Sequence, residues 1–295
     1  MKSKQTKFTK KDFAKMFPDN DSCLEWLKNH LYPNGVYCPV CKKVTTYAKL
    51  HKRPVYACDI CRYQISPLAN TIFHKSTTPL KTWFEAIFEM STTRTGYSAK
   101  SLQRSTGVTY KTAWRMFKQI RSLLGENTAQ LSGKVEADET YVGGKAKNMH
   151  KSKREKTIHG RGTAGKAPVF GMVERQGNVI ALTVPNTDNT VLIPEIQKHV
   201  SPDATVITDD MGAYGTLEAN GFNHQVINHS AKIYVSGEIH TNTIDGFWSL
   251  VKNGIRGVYH HVSPEYLQDY VNEYSFRYNH RKDAQPMFQT FLNRV

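Results

Sequence analysis

Alternating apolar and polar residues in the second half of the chain predict a series of short strands. Between these strands, apolar residues recur at the three- and four-residue spacing of amphipathic helices. The expected strands cover residues 134–142, 167–174, 178–184, 204–208 and 225–228, and the expected helices cover residues 191–200, 211–220, 240–252 and 263–280. Three strands suited to antiparallel pairing are thus followed by alternating helices and strands. This order predicts an α/β domain over residues 131–295.

Helical spacing in the first half predicts a pair of helices, one over residues 98–105 and one beginning after Thr109, with Gly107 in the turn between them. Two short helices joined by such a turn are typical of a helix-turn-helix, although any two packed helices fit the same pattern. The outer face of the second helix would carry the side chains that such motifs place in the DNA major groove, here Tyr110, Lys111, Arg115 and Lys118. We assign residues 76–130 to a helical, helix-turn-helix DNA-binding region.

Four of the five cysteines form two C-x-x-C pairs that are separated by sixteen residues, namely Cys38, Cys41, Cys58 and Cys61. This spacing is typical of a zinc ribbon, in which four thiolates hold one structural Zn²⁺ in tetrahedral geometry. Four unrelated buried cysteines are the alternative. The remaining Cys23 is expected to be a buried apolar side chain on a short helix. Residues 1–75 are therefore assigned to an N-terminal helix and a zinc ribbon.

The balance of charge indicates a polyanionic partner. The net charge is +15 and the isoelectric point is about 9.5, which favours nucleic acid first and an acidic membrane surface second. No apolar run reaches membrane-spanning length, and the first residues lack the apolar core of a secretory signal. We therefore expect an intracellular protein without a membrane partner.

Basic residues are concentrated between two of the predicted strands. Residues 145–166 contain eight Lys or Arg and one Glu, which predicts a flexible loop suited to contacts with DNA phosphates. Lys151, Lys153 and Arg154 are the residues in it that we expect to contact DNA. A merely solvated loop is the alternative.

Acidic residues occupy three positions that the predicted fold could bring together. Asp138 lies within the first strand, Asp209 follows the fourth strand, and Asp245 lies on a late helix. The order of elements matches a ribonuclease H-like α/β fold, in which carboxylates from separate elements converge. Such carboxylates need a cation, and Mg²⁺ is the usual one beside substrate phosphates. The alternatives are a solvated strand end for Asp138, a helix cap for Asp209 and an exposed helical acid for Asp245.

Several segments together resemble one family of bacterial transposases. The stretches DETYVGGK, TDDMGAY, HTNTIDGFWSLVKNGIRGVYHHV and YVNEYSFRYNHR are similar to the ISXO2-like, IS1595-family transposases of insertion sequences, as are MFPDNDSCLEWL and the cysteine ribbon. The resemblance covers nearly the whole chain, from about Phe17 to Phe291. It implies a transposase of the DDE type with a ribonuclease H-like catalytic domain.

The resemblance also implies roles for individual residues. The first catalytic aspartate corresponds to Asp138 and the second to Asp209, with the neighbouring Asp210 rejected. The third corresponds to Asp245, where related enzymes usually carry Glu, with Asn242 as a second contact on the same helix face. The basic residue that contacts DNA near the scissile phosphate is matched by Lys252, and Arg256 follows it in the basic stretch. Glu136 and Glu139 flank Asp138, and strand alternation puts Glu136 on the same face as Asp138.

The implied activity is cleavage at the ends of an insertion sequence and joining of the freed 3′ hydroxyls to target DNA. Mg²⁺ or Mn²⁺ in the catalytic site and structural Zn²⁺ would be the cofactors, and double-stranded DNA the partner. A homodimer or larger assembly on DNA is expected, acting at the nucleoid in the bacterial cytoplasm. A weakened or domesticated copy acting as a repressor and a ribonuclease H-like nuclease are the alternatives.

Overall fold

The computed structural model describes residues 7–126, 128–144, 149–157, 163–227 and 240–295, without the side chains of Lys153, Lys156 and Thr157. The described helices are α1 (Lys10–Met16), α2 (Asn20–Leu31), α3 (Leu80–Thr92), α4 (Ala99–Thr106), α5 (Tyr110–Ser122), α6 (Lys151–Thr157), α7 (Asn189–His199), α8 (Asn242–Gly254), α9 (Leu267–Asn279) and α10 (Met287–Leu292). The described strands are β1 (Val36–Cys38), β2 (Lys43–Thr45), β3 (Tyr47–Lys49), β4 (Tyr56–Cys58), β5 (Gln64–Ile65), β6 (Lys134–Val142), β7 (Ala167–Glu174), β8 (Val179–Thr183), β9 (Thr205–Asp209) and β10 (Asn223–Ile227). Within these ranges no helix is long and apolar enough to cross a membrane.

The described residues form two compact units. The first unit contains residues 7–93, then Tyr97–Leu123 and Lys282–Val295. The second contains Arg94–Gly96 and the described parts of Leu124–Arg281. The functional division into residues 1–75, 76–130 and 131–295 stays a prediction.

An aromatic cluster forms the centre of the first unit. Phe13 from α1 lies 5.0 Å from Phe88 of α3 and 5.7 Å from Phe288 of α10, measured between ring centroids. Phe17 adds contacts with Phe84 at 4.9 Å and with Phe288 at 6.0 Å. Each such pair adds about 0.5–1.5 kcal/mol beyond area burial. The last helix of the chain therefore packs with the first, although the sequence separates them by almost its whole length.

The predicted helix pair is present as α4 and α5. Ser98 caps α4 by accepting a hydrogen bond from the Ser101 amide at 3.0 Å, and Thr109 caps α5 by accepting one from the Thr112 amide at 3.2 Å. Gly107 ends α4 in the left-handed conformation (φ 76°), which glycine adopts without a steric cost. The two helices and the turn thus agree with the sequence prediction, while their binding of DNA stays a prediction.

A mixed five-stranded sheet in the order β10-β9-β6-β7-β8 organises the second unit. Strands β6, β7 and β8 pair antiparallel, whereas β9 runs parallel to β6 and β10 runs parallel to β9. The central strand is therefore β6, the strand that carries Asp138. The predicted α/β class is confirmed.

Alternation along the strands separates two apolar cores. Val135 and Ala137 of β6 pack on one face of the sheet with Leu192 of α7. On the other face, Val169 and Val173 of β7 belong to a core that contains residues of α8 and α9. Glu136 and Asp138 consequently point to the α8 face of β6, and Glu139 points to the α7 face.

One predicted helix is wrong. Residues 211–220 form two 3₁₀ turns, Gly212–Tyr214 and Glu218–Asn220, instead of a continuous helix. Glycine at 212 and 215 weakens helix propagation, and Gly221 follows in the left-handed conformation (φ 88°). Tyr214 is nevertheless buried, as the apolar pattern predicted.

Helix α8 packs closely on β7 because residue 171 has no side chain. A Cβ atom at Gly171 would lie 2.5 Å from the ring of Trp248, too close for any real contact. Gly171 is also the register partner of Asp138 across the β6–β7 pair. The close approach of α8 to the sheet thus occurs beside the proposed catalytic residue.

We predict that Gly171→Ala lowers the free energy of unfolding by about 1–3 kcal/mol, because the methyl group overpacks the α8–β7 contact. Chemical denaturation of the purified protein measures this change. The control is Gly246→Ala on α8, where a Cβ would meet nothing within 4 Å. It should be neutral or stabilising by about 0.5–1 kcal/mol. Equal stability of the two variants would contradict the packing described.

Candidate functional site

The four paired cysteines form a compact cluster in the first unit. Their sulfur atoms all lie within 4.8 Å of one another, with Cys38 Sγ 3.4 Å from Cys61 Sγ and Cys41 Sγ 3.9 Å from Cys58 Sγ. Cys38 ends β1 and Cys58 ends β4, and each C-x-x-C turns back directly after its strand. Lys42 and Arg62, which follow the turns, have positive φ values of 52° and 62°. Four converging thiols that form no disulfide fit a structural Zn²⁺, so the zinc-ribbon prediction is confirmed.

The protein is expected to contain one Zn²⁺ per chain, and Cys58→Ser should lose it together with the fold of the ribbon. Metal analysis and circular dichroism of the purified variants measure both losses. Cys23→Ala is the matched control, since Cys23 is fully buried on α2 and does not belong to the cluster. Loss of zinc in Cys23→Ala with retention in Cys58→Ser would overturn the assignment.

Three carboxylates converge where β6 and β9 lie side by side. One oxygen each from Asp138, Glu139 and Asp209 lies within 4.8 Å of the other two. Asp209 is the last residue of β9, and its Oδ1 accepts a hydrogen bond from the Met211 amide at 3.0 Å. Asp209 therefore also stabilises the turn that follows β9, which resembles the capping role given above as the alternative for this residue. Asp138 and Asp209 meet, as the sequence predicted.

Glu139 is a member of this cluster that the sequence prediction did not include. Strand alternation predicts that its side chain lies on the opposite face from Asp138, so the sequence indicates only a residue that flanks Asp138. The hydroxyl of Tyr214 donates a hydrogen bond to Glu139 Oε2 at 2.8 Å and holds the carboxylate beside Asp209. Two adjacent acids late in a strand, followed at a distance by a buried tyrosine, are the signal that could have indicated it.

The two candidates for the third role lie at the start of α8. Asn242 is the first residue of the helix and Asp245 lies in its first turn, and both are exposed. Asp245 does not belong to the trio of converging carboxylates. Its Oδ2 lies 3.4 Å from the Thr241 hydroxyl oxygen. The charge of Asp245 nevertheless contributes to the electrostatics of Asp138.

Crowding of carboxylates alters the protonation of the site. Burial, followed by the negative charges of Glu139, Asp245 and Asp209, raises the pKa of Asp138 to about 7. Burial also raises the pKa of Glu139, partly offset by the hydrogen bond from Tyr214. A metal-free cluster therefore cannot hold all its negative charges at neutral pH. A divalent cation with oxygen ligands would compensate them, and the donor set fits Mg²⁺ or Mn²⁺.

The position of α8 depends on Glu136, whose side chain is fully buried. Its Oε2 accepts hydrogen bonds from the amides of Thr243 (2.7 Å) and Ile244 (3.0 Å), and its Oε1 accepts one from the Thr243 hydroxyl (2.9 Å). Arg175 Nε donates to Oε1 at 2.7 Å, and the same guanidinium donates to the His240 carbonyl oxygen at 2.8 Å. A carboxylate on β6 thereby caps the helix that carries Asn242 and Asp245.

The basic residues predicted to contact DNA lie in several places. Tyr110, Lys111, Arg115 and Lys118 are exposed on α5, as expected. Arg115 lies 5.9 Å from the centre of the Trp83 ring. Lys252 and Arg256 line a cavity beside the end of β6.

The basic segment 145–166 differs in part from the flexible loop that was predicted. It contains the short helix α6, on which Lys151 and Arg154 are exposed. The side chain of Lys153 lies outside the described residues. Residues 145–148 and 158–162 also lie outside them.

Two known family models match the parts of the chain that contain the acid cluster and the four cysteines. Residues 130–279 match the model of the ISXO2-like transposase domain, and residues 18–64 match that of the transposase zinc-ribbon domain. The chain therefore belongs to the IS1595 family of ISXO2-like transposases. The family resemblance seen in the sequence is confirmed.

Two curated proteins are similar to this chain. An uncharacterized protein in transposable element ISH50 of Halobacterium salinarum is 29% identical over 272 residues, which cover 88% of this chain and 91% of that protein. An uncharacterized transposase-like protein of Haemophilus influenzae is 31% identical over 101 residues, covering 34% of this chain and 80% of that protein. A chain in the solved intasome of simian T-cell lymphotropic virus, in complex with a PP2A regulatory subunit, has 12% identity and a TM-score of 0.31 over 70% of this chain and 74% of that one. That structural similarity is too low to carry an argument.

The raised pKa of Asp138 predicts how pH affects the stability of the metal-free protein. Folded Asp138 keeps its proton up to about pH 7, whereas the unfolded chain releases it near the usual aspartate value of 3.8. Stability should therefore fall as the pH rises between about 4 and 7. Asp138→Asn should remove this loss and stabilise the metal-free protein by on the order of 3 kcal/mol at pH 8, and by little at pH 4.

Denaturation of both proteins with EDTA across this pH range measures the difference. The exposed neighbour Asp210 offers the control, because Asp210→Asn should give no gain that grows with pH. A gain from Asp138→Asn that is constant between pH 4 and pH 8 would contradict the assigned pKa shift.

Proposed function

We propose that this protein is a DNA transposase that binds the ends of an insertion sequence, cleaves them and joins the 3′ hydroxyls to target DNA. The convergence of Asp138, Glu139 and Asp209 within the region that matches the transposase domain is the observation that carries this proposal. The reaction would be phosphoryl transfer of the DDE type. It would take place in the bacterial cytoplasm, at the nucleoid.

The order of strands supports a ribonuclease H-like catalytic fold. The central β6 has two antiparallel strands on one side and two parallel strands on the other. The acids lie late in β6 and at the carboxyl end of the adjacent parallel strand β9, the edge at which α/β sheets place their ligands.

Asp138 and Asp209 would hold the catalytic Mg²⁺ or Mn²⁺, with Asp245 and Asn242 as contacts from α8. The bound ions would activate the attacking oxygen and stabilise the leaving oxygen of the phosphodiester. A water oxygen would attack phosphorus first, with release of the 3′ oxygen that then becomes the nucleophile towards target DNA. Glu136 would keep α8 at the distance that this geometry requires.

Basic side chains would hold the DNA. Lys252 and Arg256 lie near the acid cluster along α8 and beyond it, so phosphates close to the cleaved bond are their expected partners. Tyr110, Lys111, Arg115 and Lys118 on α5 would contact the element end as the second helix of a helix-turn-helix. Lys151, Lys153 and Arg154 would add phosphate contacts that do not depend on sequence. Joining two ends to one target favours a dimer or a larger assembly.

One observation favours a second candidate function. Asp245, which is shorter than the Glu usual at this position, lies outside the trio of converging carboxylates. A copy with weakened catalysis could act as a DNA-binding repressor of its own element. A ribonuclease H-like nuclease would differ from both, since it would cleave DNA without joining it.

Incubation of the purified protein with a labelled element end, a supercoiled target and Mg²⁺ separates these functions. Joined products are expected from the wild-type protein, and Asp138→Asn and Asp209→Asn should reduce joining by at least about a hundredfold, because each would remove a metal ligand. Asp245→Asn and Asn242→Ala, tested side by side, identify the third contact. Asp210→Asn is the matched control and should retain joining.

Retention of joining in Asp138→Asn and Asp209→Asn would overturn the assigned site. Cleavage without joining would support a nuclease. Binding of the element end without either product would support the repressor.

A further inference from the structure

A small cavity lies beyond the acid cluster along β6. It has a volume of about 70 Å³ and lies between the end of β6 and the segment that follows α8. Gly143 and Gly144 form part of one wall, and Arg256, His260 and His261 form part of the other. The volume suits a group of a few heavy atoms and is too small for a nucleoside. A Cβ at Gly144 would meet nothing within 4 Å, so the main chain there is open to close approach by a ligand, whereas Gly143 packs against Lys166.

The polar side chains around this cavity are cationic or can donate hydrogen bonds, and Val142, Ile255 and Val262 supply an apolar part of the lining. Lys252 joins Arg256 and the two histidines, and among the described residues that line the cavity there is no carboxylate. Arg256, His260 and His261 are exposed, so their polar groups are open to a ligand from solvent. An anion with several acceptor oxygens is the ligand that such a donor set fits, and a phosphate ester is the class that a DNA-binding protein meets.

The backbone of this segment is unusual in two respects. Residues Ile255–Tyr259 continue α8 as a π-helix, a rare form that is frequent at functional sites. His260 then has φ 61° and ψ −41°, and the His261 amide donates to the Tyr259 carbonyl oxygen at 2.7 Å. This geometry is close to the strained form of the γ-turn, which non-glycine residues rarely adopt. Strain of this kind persists only where surrounding contacts hold it.

Tyr259, the residue before His260, makes contacts of this kind. Its hydroxyl lies 3.2 Å from both carboxylate oxygens of Glu273, a fully buried residue that also pairs with Arg277 at 2.6 Å. A Cβ atom at Gly96 would lie 2.0 Å from the same hydroxyl, so the tyrosine fits only against a glycine. The His260 ring is ordered as well, since its Nδ1 lies 3.1 Å from the Arg256 carbonyl oxygen. The cavity wall is thus built by tertiary contacts rather than by a free loop.

We propose that this cavity binds a backbone phosphate of the DNA strand beside the cleaved bond, with His260, His261 and Arg256 as donors. The proposal rests on the proposed transposase function and adds a specific phosphate site to it. The strained turn directs the two histidines to the cavity, and Gly144 lets the phosphate approach the main chain.

The distances along β6 and α8 indicate which DNA phosphate the cavity would bind. The cavity begins about three residues beyond Asp138 on β6, which is roughly 10 Å along a strand. Lys252 lies seven residues beyond Asp245 on α8, which is also roughly 10 Å along a helix. One DNA strand carries a phosphate about every 3.4 Å of helix axis, so the site should hold a phosphate within about three nucleotides of the cleaved bond.

Single methylphosphonate substitutions test the site, because each removes the charge of one phosphate. Element-end duplexes with one substitution at each phosphate within four nucleotides of the cleaved bond are titrated with protein in the absence of Mg²⁺. His260→Asn and Arg256→Gln should each weaken binding of unmodified DNA by roughly five- to tenfold. Asn, like His, is enriched among non-glycine residues with positive φ, so His260→Asn is the substitution expected to disturb the turn least.

The decisive result is coupling between protein and DNA changes. At one phosphate position, methylphosphonate and Arg256→Gln together should cost no more than about tenfold, the same as either change alone. If the affinity losses from methylphosphonate and from Arg256→Gln multiply at every phosphate position, the phosphate site is wrong, while the transposase proposal is unaffected. Failure of the wild-type protein to bind any DNA would overturn both.

Two controls separate this role from a structural one. Lys198→Gln changes an exposed cation at the end of α7 and should leave binding and its coupling unchanged. Thermal midpoints of His260→Asn and Arg256→Gln should equal that of the wild type. If binding falls only in proportion to a lowered midpoint, the histidine has a structural role and the proposal is wrong.

Discussion

The buried carboxylate of Glu136 is the contact on which the geometry of the candidate active site depends. A buried charge is tolerated only with full hydrogen bonding, and Glu136 obtains it from Arg175 and from the first turn of α8. The N-cap residue of α8, Thr241, makes no side-chain cap of its own. The central strand therefore supplies the cap of a helix that lies 107 residues further along the chain. Breaking this contact would leave a buried charge and an uncapped helix at the same place.

Because Glu136 and Asp138 point to the same face of β6, fixing α8 on Glu136 also fixes Asn242 and Asp245 near Asp138. Gly171 contributes from the neighbouring strand, since its missing side chain lets Trp248 approach the sheet. On the opposite side, Tyr214 orients Glu139 towards Asp209. The negative charges of these carboxylates are thereby held close together, which lowers the stability of the metal-free protein. Such crowding is typical of a site that binds a cation. The apolar cores on both faces of the sheet hold the carboxylates together against their mutual repulsion.

Features of the fold and the site that depend on residues close together in the sequence could be predicted. The spacing of Cys38 to Cys61 indicated the zinc ribbon, and helix caps and Gly107 indicated the α4–α5 pair. The order of strands and helices indicated that Asp138 and Asp209 meet. Long-range packing could not be predicted in the same way. Strand alternation separates Glu139 from Asp138, yet one carboxylate oxygen of each lies within 4.8 Å of one from Asp209. The packing of α10 with α1 and the strained turn at His260 depend on tertiary contacts that no local pattern records.

We propose that the carboxylates on β6 and β9 form a divalent-metal site in the transposase domain. Crystals soaked in Mn²⁺ and measured at the manganese absorption edge locate such ions directly. The account predicts anomalous density between Asp138 and Asp209, separate from the zinc at the four cysteines. Manganese density that is absent from this cluster, in crystals whose zinc site is filled, would contradict it.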